Sequence, residues 1–274
     1  MVRRRKRPRP VSTPHGTATR IDYEEFPSDV LGNRRRVTVL LPPGYDDRRD
    51  HYPVFYLQDG QNLFEDHEAA FGVSWRAGLT AERLILAGRL VPIILVGVAN
   101  TPTRLDEYAP YVNARGTGGQ GDLYGRFLFE EVKPFVDGHY RTLPDRKNTA
   151  VGGSSMGGLI ALYLAWKFAA QVGQVAVLSP SLWWADGQIL EDLAGPQPWM
   201  KKARFWLDVG TREGRGRDHV PPTVQHTRRL VEHFDSNGLV PGRHYYYWEA
   251  AGGEHNEANW AGRFDKVLLF HFAK

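Results

Sequence analysis

Five consecutive residues, Gly153-Ser154-Ser155-Met156-Gly157, carry the sharpest chemical signature in the chain. They follow a short β-branched run and precede a strongly apolar helical stretch. In a G-x-S-x-G turn between a strand and a helix, the central serine sits in a strained conformation with its oxygen exposed. The flanking glycines let strand and helix approach without side-chain clashes. Only Ser155 is centred in this pattern, since a frame on Ser154 would need glycine where Met156 stands. Two blander readings compete: a plain tight turn, or a phosphate loop at a helix N-terminus. The turn lacks the Gly-Lys-Ser/Thr of a nucleotide loop, which favours a nucleophile.

A serine hydroxyl is inert without a base. Where a hydrolase is built on this turn, the chain order is Ser, acid, His, with the acid after one late strand and the His after the next. Ten histidines compete. His255 lies in the polar segment Ala251-Gly252-Gly253-Glu254-His255-Asn256-Glu257, between an aromatic strand expected at 245–249 and the last helix. His244 opens that strand, His271 lies on the last helix, and His219, His226 and His233 precede the strand. For the acid, a strand at 204–209 runs into Gly210-Thr211-Arg212-Glu213-Gly214, so Glu213 stands just past its end. Asp218 is the alternative further along the loop, and Asp208 belongs to the strand itself. The developing oxyanion needs two N–H donors. Met156 supplies one, and the turn Asp59-Gly60-Gln61 supplies the other, from either Gly60 or Gln61.

The elements that must position these residues are legible as alternating runs. Strands are expected at 35–41, 53–58, 92–98, 148–151, 174–178, 204–209 and 245–249, and helices at 77–87, 123–136, 156–168, 226–234 and 260–272. The runs PVFYLQ and PIILVGV are continuously apolar, as in strands buried on both faces. This alternation predicts the α/β class: a mostly parallel central sheet with helices on both faces. Two long connections, 99–122 and 180–203, are expected to form a wall or lid over the site. Tyr108 and Tyr111 on the first, and Trp183 and Trp184 on the second, offer rings either to an aromatic or sugar-containing ligand or to packing of the cap.

The 274 residues are 42% hydrophobic, enough for one substantial core, and residues 17–274 are read as a single domain. The absence of cysteine excludes disulfides and thiolate chemistry. No HExxH or comparable ligand spacing occurs, so neither a metal nor an organic cofactor is expected. No apolar run reaches about 18 residues, which argues against a membrane span. The basic N-terminus lacks the apolar segment of an export signal, so a cytoplasmic location is expected. Six of the 35 Lys and Arg residues fall within residues 3–9, and without them the net charge of +4 becomes about −2. Residues 1–16 are therefore read as a disordered, solvated basic tail. Nucleic acid is not an expected partner, because the basic charge is not carried by the folded body.

Four segments carry a resemblance: VFYLQDGQNLF at 54–64, GGSSMGG at 152–158, LSPSLWW at 178–184 and GGEHNEANW at 252–260. Together they resemble the esterase family of α/β hydrolases that includes enterochelin esterases, bacterial feruloyl and acetyl-xylan esterases and, more distantly, S-formylglutathione hydrolases and mycolyltransferases. The similarity spans nearly all of residues 18–272. It implies the α/β-hydrolase fold and ester chemistry, with Ser155 and His255 at the nucleophile and base positions and Glu213 at the acid position. Asp59-Gly60 departs from the His-Gly of many hydrolases. The expected function is a serine esterase acting through an acyl-enzyme on a small-molecule or glycan ester. An acyltransferase using the same triad is the alternative within enzymes. A binding protein on the same fold is the alternative outside them, disfavoured by retention of Ser155 and His255.

Overall fold

The structure, a computed structural model, describes residues 11–15, 17–214 and 220–274. Among these residues nine strands form one sheet: β1 (Val11–His15), β2 (Ala18–Pro27), β3 (Arg34–Leu41), β4 (Val54–Gln58), β5 (Ile94–Val98), β6 (Thr149–Ser154), β7 (Gln174–Leu178), β8 (Arg204–Gly210) and β9 (Tyr245–Ala250). Their spatial order is β1-β2-β3-β5-β4-β6-β7-β8-β9. The pairs from β1 through β3 to β5 are antiparallel, and every pair from β5 to β9 is parallel. The helices are α1 (Ala77–Leu86), α2 (Arg104–Tyr108), α3 (Gly121–Arg126), α4 (Lys133–His139), α5 (Met156–Lys167), α6 (Gln188–Asp192), α7 (Pro222–Ser236) and α8 (Glu257–Phe272), with a π-helical turn Phe127–Val132 joining α3 to α4.

The continuous apolar runs do what a two-sided sheet requires. Along β4, Val54 and Tyr56 join the core that holds α5 and α7, while Phe55 and Leu57 join the core that holds α1 and α8. Successive strand side chains point to opposite faces, so both faces must be apolar. Helix α5 is buried from Met156 through Ala165, which is why its sequence is apolar all round rather than on one stripe.

Two strands escaped the sequence reading, and the reasons are physical. β2 carries charges at buried positions: Arg20 and Asp22 pair at 2.9 Å, and Arg20 reaches Glu68 at 2.8 Å. Paired charges inside a strand erase the apolar alternation on which recognition depends. β1 falls within the segment expected as a disordered tail. Its backbone pairs with β2 from Val11↔Asp22 to His15↔Ala18, so the sheet begins ahead of residue 17. Edge pairing uses backbone groups and needs little help from side chains. The rest of the expected tail, residues 1–10 and 16, lies outside the described residues.

The parallel register levels the strand ends that matter. Ser154 lies opposite Leu178, Leu178 opposite Asp208, and Asp208 opposite Trp248. The connections leaving this carboxyl edge hold Ser155, Ser179, Glu213 and His255, where open α/β sheets gather their sites. The connection 99–122 is a fixed wall rather than a free flap. Glu107 on α2 forms an ion pair of 2.7 Å with Arg35 of β3, both side chains 1% exposed.

Candidate active site

Ser155 stands between β6 and α5 with φ 57° and ψ −122°, a combination that costs a non-glycine residue about 1–3 kcal/mol. The conformation is over-determined. Its N–H donates to Leu178 O at 3.0 Å, and its carbonyl accepts from Gly158, Leu159 and Ser181 N–H at 3.0–3.1 Å. Glycine at 153 is needed for contact: a Cβ there would meet the Gly157 carbonyl carbon at 2.8 Å. The short turn therefore presents the serine hydroxyl at the mouth of the sheet while keeping β6 and α5 in van der Waals contact.

Three side chains from separate connections meet there. Ser155 Oγ lies 2.9 Å from His255 Nε2, and His255 Nδ1 lies 2.9 Å from Glu213 Oε2. The imidazole packs edge-on against Trp260, with ring centroids 4.9 Å apart. Glu213 is 2% exposed, and its other oxygen accepts the Gly210 N–H at 2.7 Å. A hydroxyl, an imidazole and a carboxylate in this sequence form a proton-transfer chain: the imidazole can take the hydroxyl proton while the carboxylate fixes its tautomer. Asp218, the alternative acid, lies outside the described residues. Asp208 has other partners. It is buried in β8, bonded to Trp206 Nε1–H at 2.7 Å and paired with Arg263 at 3.1 Å, and burial pushes its carboxyl up to about 6.

The serine and histidine open onto a cleft of about 340 Å³ lined by Asp59, Gln61, Asn100, Arg104, Phe71 and Glu257 among others. Gln61 reaches this cleft. Gly60 instead lies against β5, where a Cβ would meet the Gly97 and Val98 backbone at 2.6–2.8 Å. Asp59 turns the chain with φ 55° and ψ 48°, and its N–H donates to Tyr108 Oη at 3.2 Å. Met156 is the first residue of α5, so its N–H belongs to the helix turn that has no intrahelical acceptor.

The expected ligand-facing aromatic residues divide. Tyr108 is fully buried and braces Asp59 from behind, so it is a support of the turn and not a cleft surface. Trp184 is also buried, its indole N–H on Tyr111 O at 2.7 Å, and Tyr111 Oη donates to Asp192 at 2.6 Å. These rings pack the cap. Trp183 alone of the four stands half exposed, beside Leu105 and Arg115 in a neighbouring hollow of about 430 Å³.

Several cleft residues were not legible in the sequence. Arg104 grips Asp59 through two hydrogen bonds of 2.7 Å. Burial alone would lower its guanidinium pKa, but the Asp59 bonds and charge outweigh this and hold it above its ordinary range. Asn100 also donates to Asp59, at 2.6 Å. Glu257 accepts from Asn62 Nδ2 at 3.1 Å, and its carboxyl is raised chiefly by burial. For Asn100 and Arg104 the available signal was the long connection 99–122, expected as a wall or lid without saying which residues, and Glu257 stands in the polar segment 251–257 beside His255. Among the described residues no group of three or more His, Asp or Glu side chains could hold a metal ion, and no helix is long and apolar enough to cross a membrane.

Comparison with known proteins converges on one group. The family model Esterase, described as "Putative esterase", matches residues 28–271. YbbA of Bacillus subtilis is 27% identical over 203 residues, covering 70% of this chain and 74% of that protein. An iron(III) enterobactin esterase of Dickeya dadantii is 30% identical over 177 residues, covering 64% of this chain and 36% of that protein. Among solved structures, a ferulic acid esterase superposes with a TM-score of 0.73 at 17% identity, over 93% of this chain and 98% of that one. At that identity the superposition establishes the shared fold, which is that of the α/β hydrolases.

Proposed function

This chain belongs to the esterase family of carboxylic ester hydrolases, and from that premise we propose that it cleaves esters through an acyl-enzyme on Ser155, with His255 as general base and acid and Glu213 as the residue that orients it. The observation carrying this reading is the unbroken chain of 2.9 Å contacts from Ser155 Oγ through His255 to Glu213. As the hydroxyl attacks the ester carbonyl, His255 Nε2 takes its proton, and Glu213 stabilises the resulting imidazolium. The Met156 N–H, at the positive end of α5, and the Gln61 or Gly60 N–H face the developing oxyanion. His255 then protonates the departing alcohol, and water repeats the sequence on the acyl group. No metal or organic cofactor takes part.

The substrate is proposed to be a small-molecule or glycan ester bearing a ring. The exposed Phe71 at the cleft and the half-exposed Trp183 in the neighbouring hollow support this, as do relatives named feruloyl esterase and enterobactin esterase. Incubating the protein with short-chain nitrophenyl, feruloyl and acetylated-sugar esters should release one equivalent of free acid per alcohol. Predominant transfer of the acyl group to an added sugar acceptor, with little free acid, would instead make it an acyltransferase.

A further inference from the structure

Behind the proposed triad, at the end of β7, Ser179 is fully buried and adopts φ 42°, a left-handed conformation that a serine has no intrinsic reason to take. Its N–H is fixed on Asp208 O at 2.8 Å. Its hydroxyl meets three partners: the Trp260 indole N–H at 2.9 Å, Arg263 Nη2–H at 2.9 Å, and Glu213 Oε1. Indole and guanidinium nitrogens only donate. Both lone pairs of the Ser179 oxygen are therefore occupied, and its single proton has one place to go, Glu213 Oε1. That oxygen already accepts the Gly210 N–H at 2.7 Å, and Arg263 Nη2 stands 3.7 Å away.

Two consequences follow from this valence count. A proton cannot reside on Glu213 Oε1, because two donors already point at it. The carboxylate is also anchored by one oxygen, which leaves Oε2 turned to His255 Nδ1–H. Arg263 itself is buried between two carboxylates, Asp208 at 3.1 Å and Glu213 at 3.7 Å.

Resting on the esterase reading above, we propose that Ser179 is a positioning residue for the catalytic acid. Its hydroxyl, locked by Trp260 and Arg263, fixes Glu213 as an oriented anion, so that the working unit is the four-residue chain Ser155–His255–Glu213–Ser179. In this strained conformation the hydroxyl lies among all three partners. A purely structural residue at this position would be better served by glycine.

That contrast supplies the test. Ser179→Gly relieves the backbone strain while deleting the hydroxyl, and Ser179→Ala deletes the hydroxyl but keeps the strain. The glycine variant should melt at or above the temperature of the alanine variant. In both, kcat on a nitrophenyl ester should fall about 10- to 100-fold with KM within about twofold. Proton NMR should show the low-field His255 Nδ1–H resonance of the wild type displaced or lost in both variants. A kcat within about threefold of wild type, or an unmoved Nδ1–H resonance, would overturn the assignment. So would a loss of kcat that tracks a fall in melting temperature. Failure of the esterase reading appears elsewhere, as turnover that survives Ser155→Ala. The NMR readout needs no turnover and judges Ser179 independently.

Discussion

Ser155→Ala should abolish ester hydrolysis, with kcat lower by about 10³-fold or more, while the fold is retained. The expected size follows from what is lost and what stays. In the proposed mechanism the Ser155 oxygen is the atom that bonds to carbon, and it lies 2.9 Å from His255 Nε2. Ser181 Oγ lies 3.3 Å from Ser155 Oγ, whereas His255 Nε2 bonds to Ser155 Oγ at 2.9 Å. Residual rate would come from binding and the oxyanion donors alone. Retention of the fold is expected because the turn is held by backbone bonds, Ser155 N–H to Leu178 O and the carbonyl to Gly158, Leu159 and Ser181, none of which uses the side chain. Steady-state turnover and a thermal melt on the same preparation check both halves. Activity within tenfold of wild type would remove Ser155 from the mechanism.

Glu213→Gln should cost about 10² to 10⁴ in kcat with little change in stability. The geometry makes the direction specific. Two donors, Gly210 N–H and Ser179 Oγ–H, converge on Oε1. In the glutamine variant the amide oxygen must occupy that position, which turns the amide NH₂ toward His255 Nδ1. The imidazole then accepts at Nδ1 and carries its proton on Nε2, facing Ser155, and a protonated Nε2 cannot take the hydroxyl proton. Asp218→Asn should cost less than tenfold. The reverse order of effects would assign the acid to Asp218, and no effect from either would leave Ser155 and His255 as a dyad.

The parts of this site that were legible in the sequence are those whose chemistry depends on chain order and local pattern. The G-x-S-x-G turn exposed Ser155. The rule that acid and base follow successive late strands pointed to His255 and to Glu213 with Asp218 as its alternative, and the structure brings Ser155, His255 and Glu213 together. The α/β class was legible because the strands of a doubly covered sheet are apolar runs of distinctive length, as at 54–58 and 94–98. What escaped depends on contacts between distant segments. Arg104 looks like any surface arginine until Asp59, 45 positions earlier, is folded against it. Ser179 gains meaning only when Trp260, Arg263 and Glu213 converge on its oxygen. A tyrosine on a long polar connection suits either a ligand surface or cap packing, and for Tyr108 the choice depends on the ion pair of Glu107 with Arg35, which holds α2 against β3 with the ring buried. β2 was hidden by charges that are satisfied by one another.

In the proposed mechanism the acyl group is carried covalently on Ser155. Reaction of the wild-type protein with a fluorophosphonate, followed by proteolysis and tandem mass spectrometry, tests it most directly. One adduct per chain is expected, located on Ser155 within the segment GGSSMGG, with strong loss of labelling in His255→Ala. An adduct on Ser154 or Ser181, or full ester turnover by a protein that takes no label, would contradict it.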